Sequence, residues 1–249
     1  MKRKSLIIGI AISAVLFITI IYPKLNNNIT SNSDVTIVSH YDMPLTSSLH
    51  EMTNEAEIVV IGEYKSFDSK WNMLRDPNNV KSESDDGYIE GHLYNFEIDD
   101  VLKGNLQDEN ILVNHKYSTR IFYEDNDEVI NNEGLVVKEA TSSKKYSFDA
   151  EDFPFIEPDI GSKYILFLNK DTNFGNYYGA IEPFSIKFDE NNIAELQSNL
   201  IENNTINSHT FRINNNRKIE IISESENQIT DNISGANINK LIEEITSSS

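Results

Sequence analysis

The chain contains no cysteine, and this absence excludes several kinds of chemistry. None of its 249 residues can form a disulfide, hold a metal through a thiolate or act as a cysteine nucleophile. A lipid anchor on an N-terminal cysteine is excluded for the same reason. Its stability must therefore come from a hydrophobic core, to which 39% of the residues can contribute.

Basic residues are also scarce. Lys and Arg number 21 against 40 Asp and Glu, which gives a formal charge of −19. Lys2, Arg3 and Lys4 precede every acidic residue, so the remainder carries 18 basic residues and a formal charge of −22. A surface of this sign repels nucleic acid, although acidity serves solubility first. We therefore expect no nucleic-acid partner, and expect a cationic ligand or a protein of the cell envelope instead.

Complete catalytic motifs are missing. His50 starts a sequence like the zinc-protease helix, but Asn54 stands where the second histidine is required. Ser142–Lys145 has the S-x-x-K spacing without the companion motifs. Two loops that resemble calcium-binding loops carry Val129 and Ala180 at ligand positions. The sequence thus predicts a non-enzymatic protein with no cofactor, no catalytic residue and no metal ligand. A metal-dependent enzyme, another hydrolase, or a calcium site assembled from separate loops stays open.

The N-terminus contains one long apolar run. Residues 6–22 read LIIGIAISAVLFITIIY without a charge, and as a helix they would extend about 25 Å, close to the minimum for a membrane span. The preceding basic cluster places residues 1–5 in the cytoplasm. No small-residue cleavage pattern follows. We expect an uncleaved single-pass anchor, a linker over residues 23–34 and an extracytoplasmic domain; secretion after signal cleavage is the alternative.

Residues 35–223 are predicted to form a mainly β domain. Because no strand precedes a helix long enough for a crossover, the sheet should be mainly antiparallel, with flanking helices. The continuously apolar Tyr164–Leu168 should be a strand buried on both faces. Predicted strands cover residues 57–67, 88–102, 110–117, 161–171 and 176–188, and a predicted hairpin covers 209–222. Residues 68–87 are expected to form an exposed loop and residues 119–152 an irregular, acidic region.

Two predicted helices flank this domain. Residues 46–57 form the first, with Thr46 or Ser47 as its cap. Residues 224–249 contain a linker, a short amphipathic helix and a serine tail. A structural role in an envelope complex would use that second helix as its docking face.

The stretch YNFEIDDVLKGN, residues 94–105, contains two adjacent carboxylates. Tyr94, Phe96 and Ile98 alternate on one face, and then Val101 falls out of phase with them. One extra residue at Asp99-Asp100 would return Val101 to the apolar face. Consecutive strand residues point to opposite faces, so the two aspartates should not act as a catalytic pair.

Three strand sequences carry a resemblance to a known class. Val59–Gly62, Tyr94–Gly104 and Gly161–Leu168 resemble, in order, strands of the netrin and tissue-inhibitor-of-metalloproteinase domains. The chain also resembles uncharacterised membrane-anchored, exported proteins of Gram-positive bacteria that have the same series without cysteines. The resemblance implies an antiparallel OB-like barrel with a binding role. It implies no protease inhibition, because the inhibitors act through an N-terminal cysteine ridge.

Three aromatic residues are candidates for ligand contact. Trp71, Tyr177 and Tyr178 lie in or near polar segments, and aromatic side chains provide stacking area for a sugar or peptide at low entropic cost. The alternative is that they belong to the core.

Overall fold

The computed structural model describes residues 18–19, 35–40, 44–126, 129–130, 136–138, 143–201, 206–214, 217–224 and 228–247. Strands dominate the fold, as predicted. The elements are β1 Ile18–Thr19, β2 Val35–His40, α1 Leu49–Glu55, β3 Ile58–Asn72, β4 Arg75–Asp76, β5 Asn79–Glu83, β6 Ile89–Lys103, β7 Asn110–Asn126, β8 Val129–Ile130, β9 Val136–Lys138, β10 Ser143–Glu151, β11 Lys163–Lys170, β12 Tyr177–Gly179, β13 Ser185–Phe188, β14 Ala194–Leu196, β15 Ile206–Asn214, β16 Arg217–Glu224 and α2 Ile238–Ser247.

Five strands of the largest sheet pair around a closed path. The order is β7, β6, β3, β11 and β12, and β12 returns to β7. The first four pairings are antiparallel and the last is parallel. Side chains on one face of these strands form a single buried cluster, namely Ile58, Val60, Tyr64, Tyr94, Phe96, Ile111, Val113, Tyr164, Leu166, Leu168 and Tyr177. We call this face the inner face of the ring.

A second core lies on the opposite, outer face of β3 and β11. Val59, Ile61 and Phe167 point there and pack with residues of both helices. Burial on both faces explains the continuous apolar run Tyr164–Leu168, as the sequence predicted. Helix α1 begins three residues later than predicted, and its cap is Ser48 and not Thr46 or Ser47, because the Ser48 hydroxyl accepts a hydrogen bond from the Glu51 amide at 3.3 Å.

The predicted irregularity at the two aspartates is confirmed. Ile61 and Gly62 are consecutive in β3, but their partners in β6 are Asp100 and Ile98, so Asp99 is the extra residue. Ile98 and Val101 are half-buried against the same cluster as Phe96, and both aspartates are exposed.

Gly62 lies in β3 opposite Ile98, next to this bulge. The extra residue lies in β6 and not at Gly62, and a Cβ atom at Gly62 would lie 2.0 Å from the carbonyl oxygen of Glu97. Glycine thus permits the close approach of the two strands.

Two regions predicted to be irregular are strands. β3 continues to Asn72, and the β4–β5 hairpin occupies part of the expected loop 68–87. β7 continues to Asn126 and pairs with β10, where residues 119–152 were expected to lack order. Cross-strand charge pairing explains the second error, since Lys144 and Lys145 lie opposite Asp125 and Glu124. An acidic strand can therefore be ordered when basic residues of a later strand lie opposite its carboxylates, as β10 lies opposite β7.

A second sheet has the order β1, β2, β16, β15. Its β15–β16 hairpin confirms the one predicted around Asn214–Asn216, of which Asn215 and Asn216 lie outside the described residues. Ile37, Ile219 and Ile221 of this sheet form one buried cluster with Ile121 of β7 and Ala150 of β10. The extension of β7 and β10 therefore supports the second sheet.

The predicted membrane helix, residues 6–22, lies outside the described residues except at Ile18–Thr19. Those two residues pair with β2 as a short strand. Within the described ranges, no helix is long and apolar enough to cross a membrane. The predicted C-terminal helix is confirmed as α2, and its Ile238, Leu241 and Ile245 are buried in the core shared with α1.

Candidate functional site

A polar and aromatic cluster lies on the outer face of the ring, across β3, β6 and β7. Trp71 lies opposite Gly91, and its indole Nε1 donates a hydrogen bond of 2.7 Å to Oδ1 of Asn114. A Cβ atom at Gly91 would lie 2.4 Å from that nitrogen, so the glycine leaves room for the indole to cross β6. Asn114 is buried and also contacts the sulfur of Met73 at 3.5 Å.

Arg75 joins this cluster from the β4–β5 hairpin. Its Cζ lies 4.5 Å from the Trp71 ring centroid and 4.3 Å from that of Phe174, and the two rings are 5.2 Å apart. The cation therefore contacts the faces of two aromatic rings. Its Nε is buried without a hydrogen-bond partner. We refer to Trp71, Arg75, Asn114, Phe174 and Tyr178 as the aromatic-arginine site.

Two loops hold this site in place. The buried Asn72 accepts hydrogen bonds from the amides of Leu74 and Ile89 at 3.0 and 3.1 Å, which fixes both ends of the segment containing the hairpin. In the loop between β11 and β12, the Asp171 carboxylate accepts from the amides of Asn173 and Phe174 at 2.8 and 3.2 Å. Phe174 is thereby positioned against Arg75.

The three aromatic residues singled out from the sequence occupy different places. Trp71 is half-buried in β3 and not in a loop. Tyr178 lies opposite Asn114 in the parallel pairing of β12 with β7, so it shares the outer face, and it is 43% exposed. Tyr177 points inward and belongs to the core, with 4% exposure. Trp71 in β3 and Tyr178 in β12 therefore share one face. Asn114 lies on the same face in β7, a strand located between those two.

A second polar group lies on the inner face of β6 and β7, directly behind Gly91 and Asn114 of the first site. His92 and His115 are cross-strand partners, and both are buried. His92 stacks on Tyr117 at 4.0 Å and is hydrogen-bonded to Glu90 at 2.8 Å. His115 Nε2 lies 2.9 Å from the Tyr64 hydroxyl. Burial, with a smaller contribution from His92, lowers the pKa of His115 to about 3, so the ring is neutral at pH 7.

Two carboxyl groups, those of Glu182 and Asp152, interact electrostatically. Glu182 is buried, its side chain is hydrogen-bonded to Ser198, and burial together with the nearby Asp152 charge raises its pKa to about 8. Asp152 forms an ion pair with Lys116 at 2.5 Å, and burial raises the pKa of its carboxyl group above the usual value. Each of these groups has a partner within the protein.

The sequence reasoning missed Arg75, Asn114 and the histidine pair. His92 and His115 have the same parity as the apolar residues of their strands, which was a usable signal for inward placement. Arg75 and Phe174 carried no such signal, because they come together only through two loops. Among the described residues, no group of three His, Asp or Glu side chains could hold a metal ion.

Comparison with protein-family models, curated proteins and solved structures finds no match to the chain.

Proposed function

We propose that the protein is a non-enzymatic binding protein that faces the outside of the cell and takes its ligand at the aromatic-arginine site. The observation that carries this proposal is the meeting of Trp71, Arg75 and Phe174 from three separate segments, with the exposed Tyr178 on the same face opposite Asn114. Aromatic and arginine side chains dominate the energetic centres of binding sites. Exposed aromatic area of this kind suits a sugar or a peptide.

The ring order supports the further proposal of an OB-like barrel. Naming the ring strands 1 to 5 along the chain, the closed path runs 1-2-3-5-4 and back to 1, and only strands 3 and 5 are parallel. OB folds bind ligands on the face of strands 2 and 3. The loop that joins strands 1 and 2 and the loop that joins strands 4 and 5 also take part. Those elements correspond here to β6, β7, the hairpin segment and residues 171–176. The aromatic-arginine site occupies this position.

Trp71 provides a direct test, because it is the only tryptophan in the chain. Soluble oligosaccharides and peptides would be titrated against residues 35–249 while Trp71 fluorescence is recorded. We expect a saturable change that Tyr178→Ser weakens by about tenfold, as for loss of one stacking contact. Phe122→Ser is the matched control. Phe122 is an aromatic residue that is 62% exposed, and it lies on β7, the strand that contains Asn114, but eight residues further along the chain. Equal effects of both substitutions would contradict the proposal.

Export and anchoring are a separate part of the proposal. They are supported by the uncharged residues 6–22 and the basic residues before them. An anchored chain requires Ile18–Thr19 to leave β2, a pairing of only two residues. The intact protein should sediment with membranes and be digested by protease added to whole cells. A soluble mature protein that starts near residue 25 would instead indicate signal cleavage.

A hydrolase is the second candidate, and the approach of Asp152 and Glu182 favours it. A carboxyl group with a raised pKa beside a second carboxyl group is typical of acid-base catalysis. Against it, Lys116 pairs with Asp152 and Ser198 bonds to Glu182, as in a structural network. Hydrolysis of any polysaccharide or peptide that is lost in both Asp152→Asn and Glu182→Gln, with folding retained, would favour the enzyme.

A further inference from the structure

Two arginines of the ring region make the same kind of aromatic contact but differ in their polar partners. Arg120 lies with its Cζ 4.6 Å from the Tyr88 ring centroid, and its Nε and Nη2 donate to the two carboxylate oxygens of Asp149 at 2.7 and 3.0 Å. This is the bidentate arrangement that a guanidinium favours. Arg120 therefore shows how a stacked arginine of this chain is satisfied by a carboxylate.

Arg75 has the stacking without the carboxylate. Its guanidinium contacts Trp71 and Phe174 but forms no hydrogen bond or ion pair with any described residue, and its Nε is buried and unpartnered. Its cross-strand partner Glu83 is exposed and forms no ion pair with it in the described part of the chain.

An unpartnered guanidinium that is held rigidly is prepared to bind an anion. The two rings fix the plane of the guanidinium and leave the donors at its edge, so little side-chain entropy is lost when a ligand binds. The terminal Nη1 and Nη2 donors are not among the buried atoms, so an accepting oxygen can reach them and form charge-assisted hydrogen bonds. Both effects favour an oxyanion at this position.

We infer that Arg75 is the receptor for a carboxylate group of the ligand, bound through both of its oxygens by the terminal Nη1 and Nη2 donors of the guanidinium. This inference rests on the proposed binding function and names the chemical class of the ligand. The negative charge of the surrounding protein opposes ligands with several charges. The ligand is accordingly a small or mostly uncharged molecule with one carboxylate, such as an acidic sugar or a peptide ending in a free carboxyl group.

Matched pairs of small probes test this inference. One pair is methyl glucuronide and the neutral methyl glucoside, and the other is N-acetyltyrosine and its amide; sulfate serves as the doubly charged anion. The readouts are the NMR signal of Arg75 Nε–H and the fluorescence of Trp71, which Arg75 contacts. We expect an acid to shift both signals and to bind at least about tenfold more tightly than its neutral counterpart, as for a charged hydrogen-bonded pair. The acid that binds identifies the source of the carboxylate.

Two substitutions with the same charge change provide the control. Arg75→Met should weaken binding of that acid by about tenfold to a hundredfold, whereas Arg120→Met should leave it unchanged. Arg75→Lys, which keeps the charge but not the two-oxygen geometry, should also weaken binding. The inference is wrong if neither acid shifts the Arg75 signal, if Arg75→Met binds as the parent does, or if sulfate binds more tightly than both acids.

The inference and the proposed function can fail separately. A neutral ligand that depends on Tyr178 but not on Arg75 would leave the binding function in place and remove the carboxylate. An acid that shifts the Arg75 signal but is insensitive to Tyr178→Ser would support the carboxylate inference and contradict the proposed contribution of Tyr178 to the site.

Discussion

At the scale of single residues, burial keeps two ionisable side chains of the protein neutral at pH 7. His115 is buried against Tyr64 on the inner face, and Glu182 is buried beside Asp152 and Ser198 on the outside. Both groups exchange protons on folding, because burial disfavours the charged form of each. They shift the stability of the protein with pH in opposite directions, and single substitutions can separate them.

His115 should make the protein sensitive to acid. Its pKa is about 3 in the folded state and about 6.5 as an exposed side chain. Between these values the unfolded chain binds a proton that the folded protein does not, so stability falls as the pH drops from 6.5 towards 3. His115→Gln should flatten this part of the profile in chemical denaturation between pH 4 and 7. The exposed His50→Gln on α1 is the control, and identical slopes for the two variants would contradict the assignment.

Glu182 should act in the opposite direction. Its pKa is about 8 in the folded state and 4.5 for an exposed glutamate, so between these values the folded protein binds a proton that the unfolded chain does not. Its contribution is fully present below pH 4.5 and is lost as the pH rises through 8, with a slope of up to about 1.4 kcal/mol per pH unit. Glu182→Gln should remove this slope, so the variant gains stability over the parent as the pH rises to 9. Glu243→Gln, at an exposed position on α2, should keep the parental profile.

At the scale of secondary-structure elements, the sequence predicted what local periodicity determines. The Asp99 bulge, the doubly buried β11 and the face of α2 could all be read from spacing. The extension of β7 and its pairing with β10 could not, because exposed residues of a strand need no apolar alternation. Their order depends on partners across the ladder, which one sequence does not reveal.

Engineered disulfides can test the β7–β10 ladder, and the absence of native cysteine makes the result simple to interpret. Phe122 and Ser147 are exposed cross-strand partners, and opposed residues in antiparallel strands lie within the Cα range of a disulfide. Phe122→Cys with Ser147→Cys should oxidise to an intramolecular bond in the native protein. Glu124→Cys with Ser147→Cys, displaced by two residues, should oxidise more slowly. Equal rates for the two pairs, measured by gel shift after thiol labelling, would contradict the register.

At the scale of the whole molecule, the closed strand order and the ligand site are properties of contacts between distant segments. The sequence suggested the order of the strands, but closure depends on the three-residue β12 strand, whose pairing with β7 involves only Tyr177 and Tyr178. The same closure brings the loop containing Phe174 to Arg75. Composition identified Trp71 and Tyr178 as candidates, and tertiary structure was needed to add Arg75 and to move Tyr177 into the core.

The position of α2 decides between two roles for the C-terminus. If α2 served as a docking face for an envelope partner, deletion of residues 236–249 would abolish the partner and leave the thermal transition of the β domain intact. In the structure, Ile238, Leu241 and Ile245 instead complete the core that β3, β11 and α1 share. Removing them would expose that core to water, so we expect the deletion to lower the transition temperature markedly or to prevent folding.

A single substitution makes the same comparison without truncation. Leu241 is 3% exposed, and Leu241→Ala should lower the free energy of unfolding by about 2 to 4 kcal/mol, as for other buried leucines. Lys240→Ala, at the exposed adjacent position, should change it by less than about 0.5 kcal/mol. Denaturant unfolding of both variants gives these values. Equal stability of the two proteins would mean that α2 is not part of the folded core and would restore the docking role.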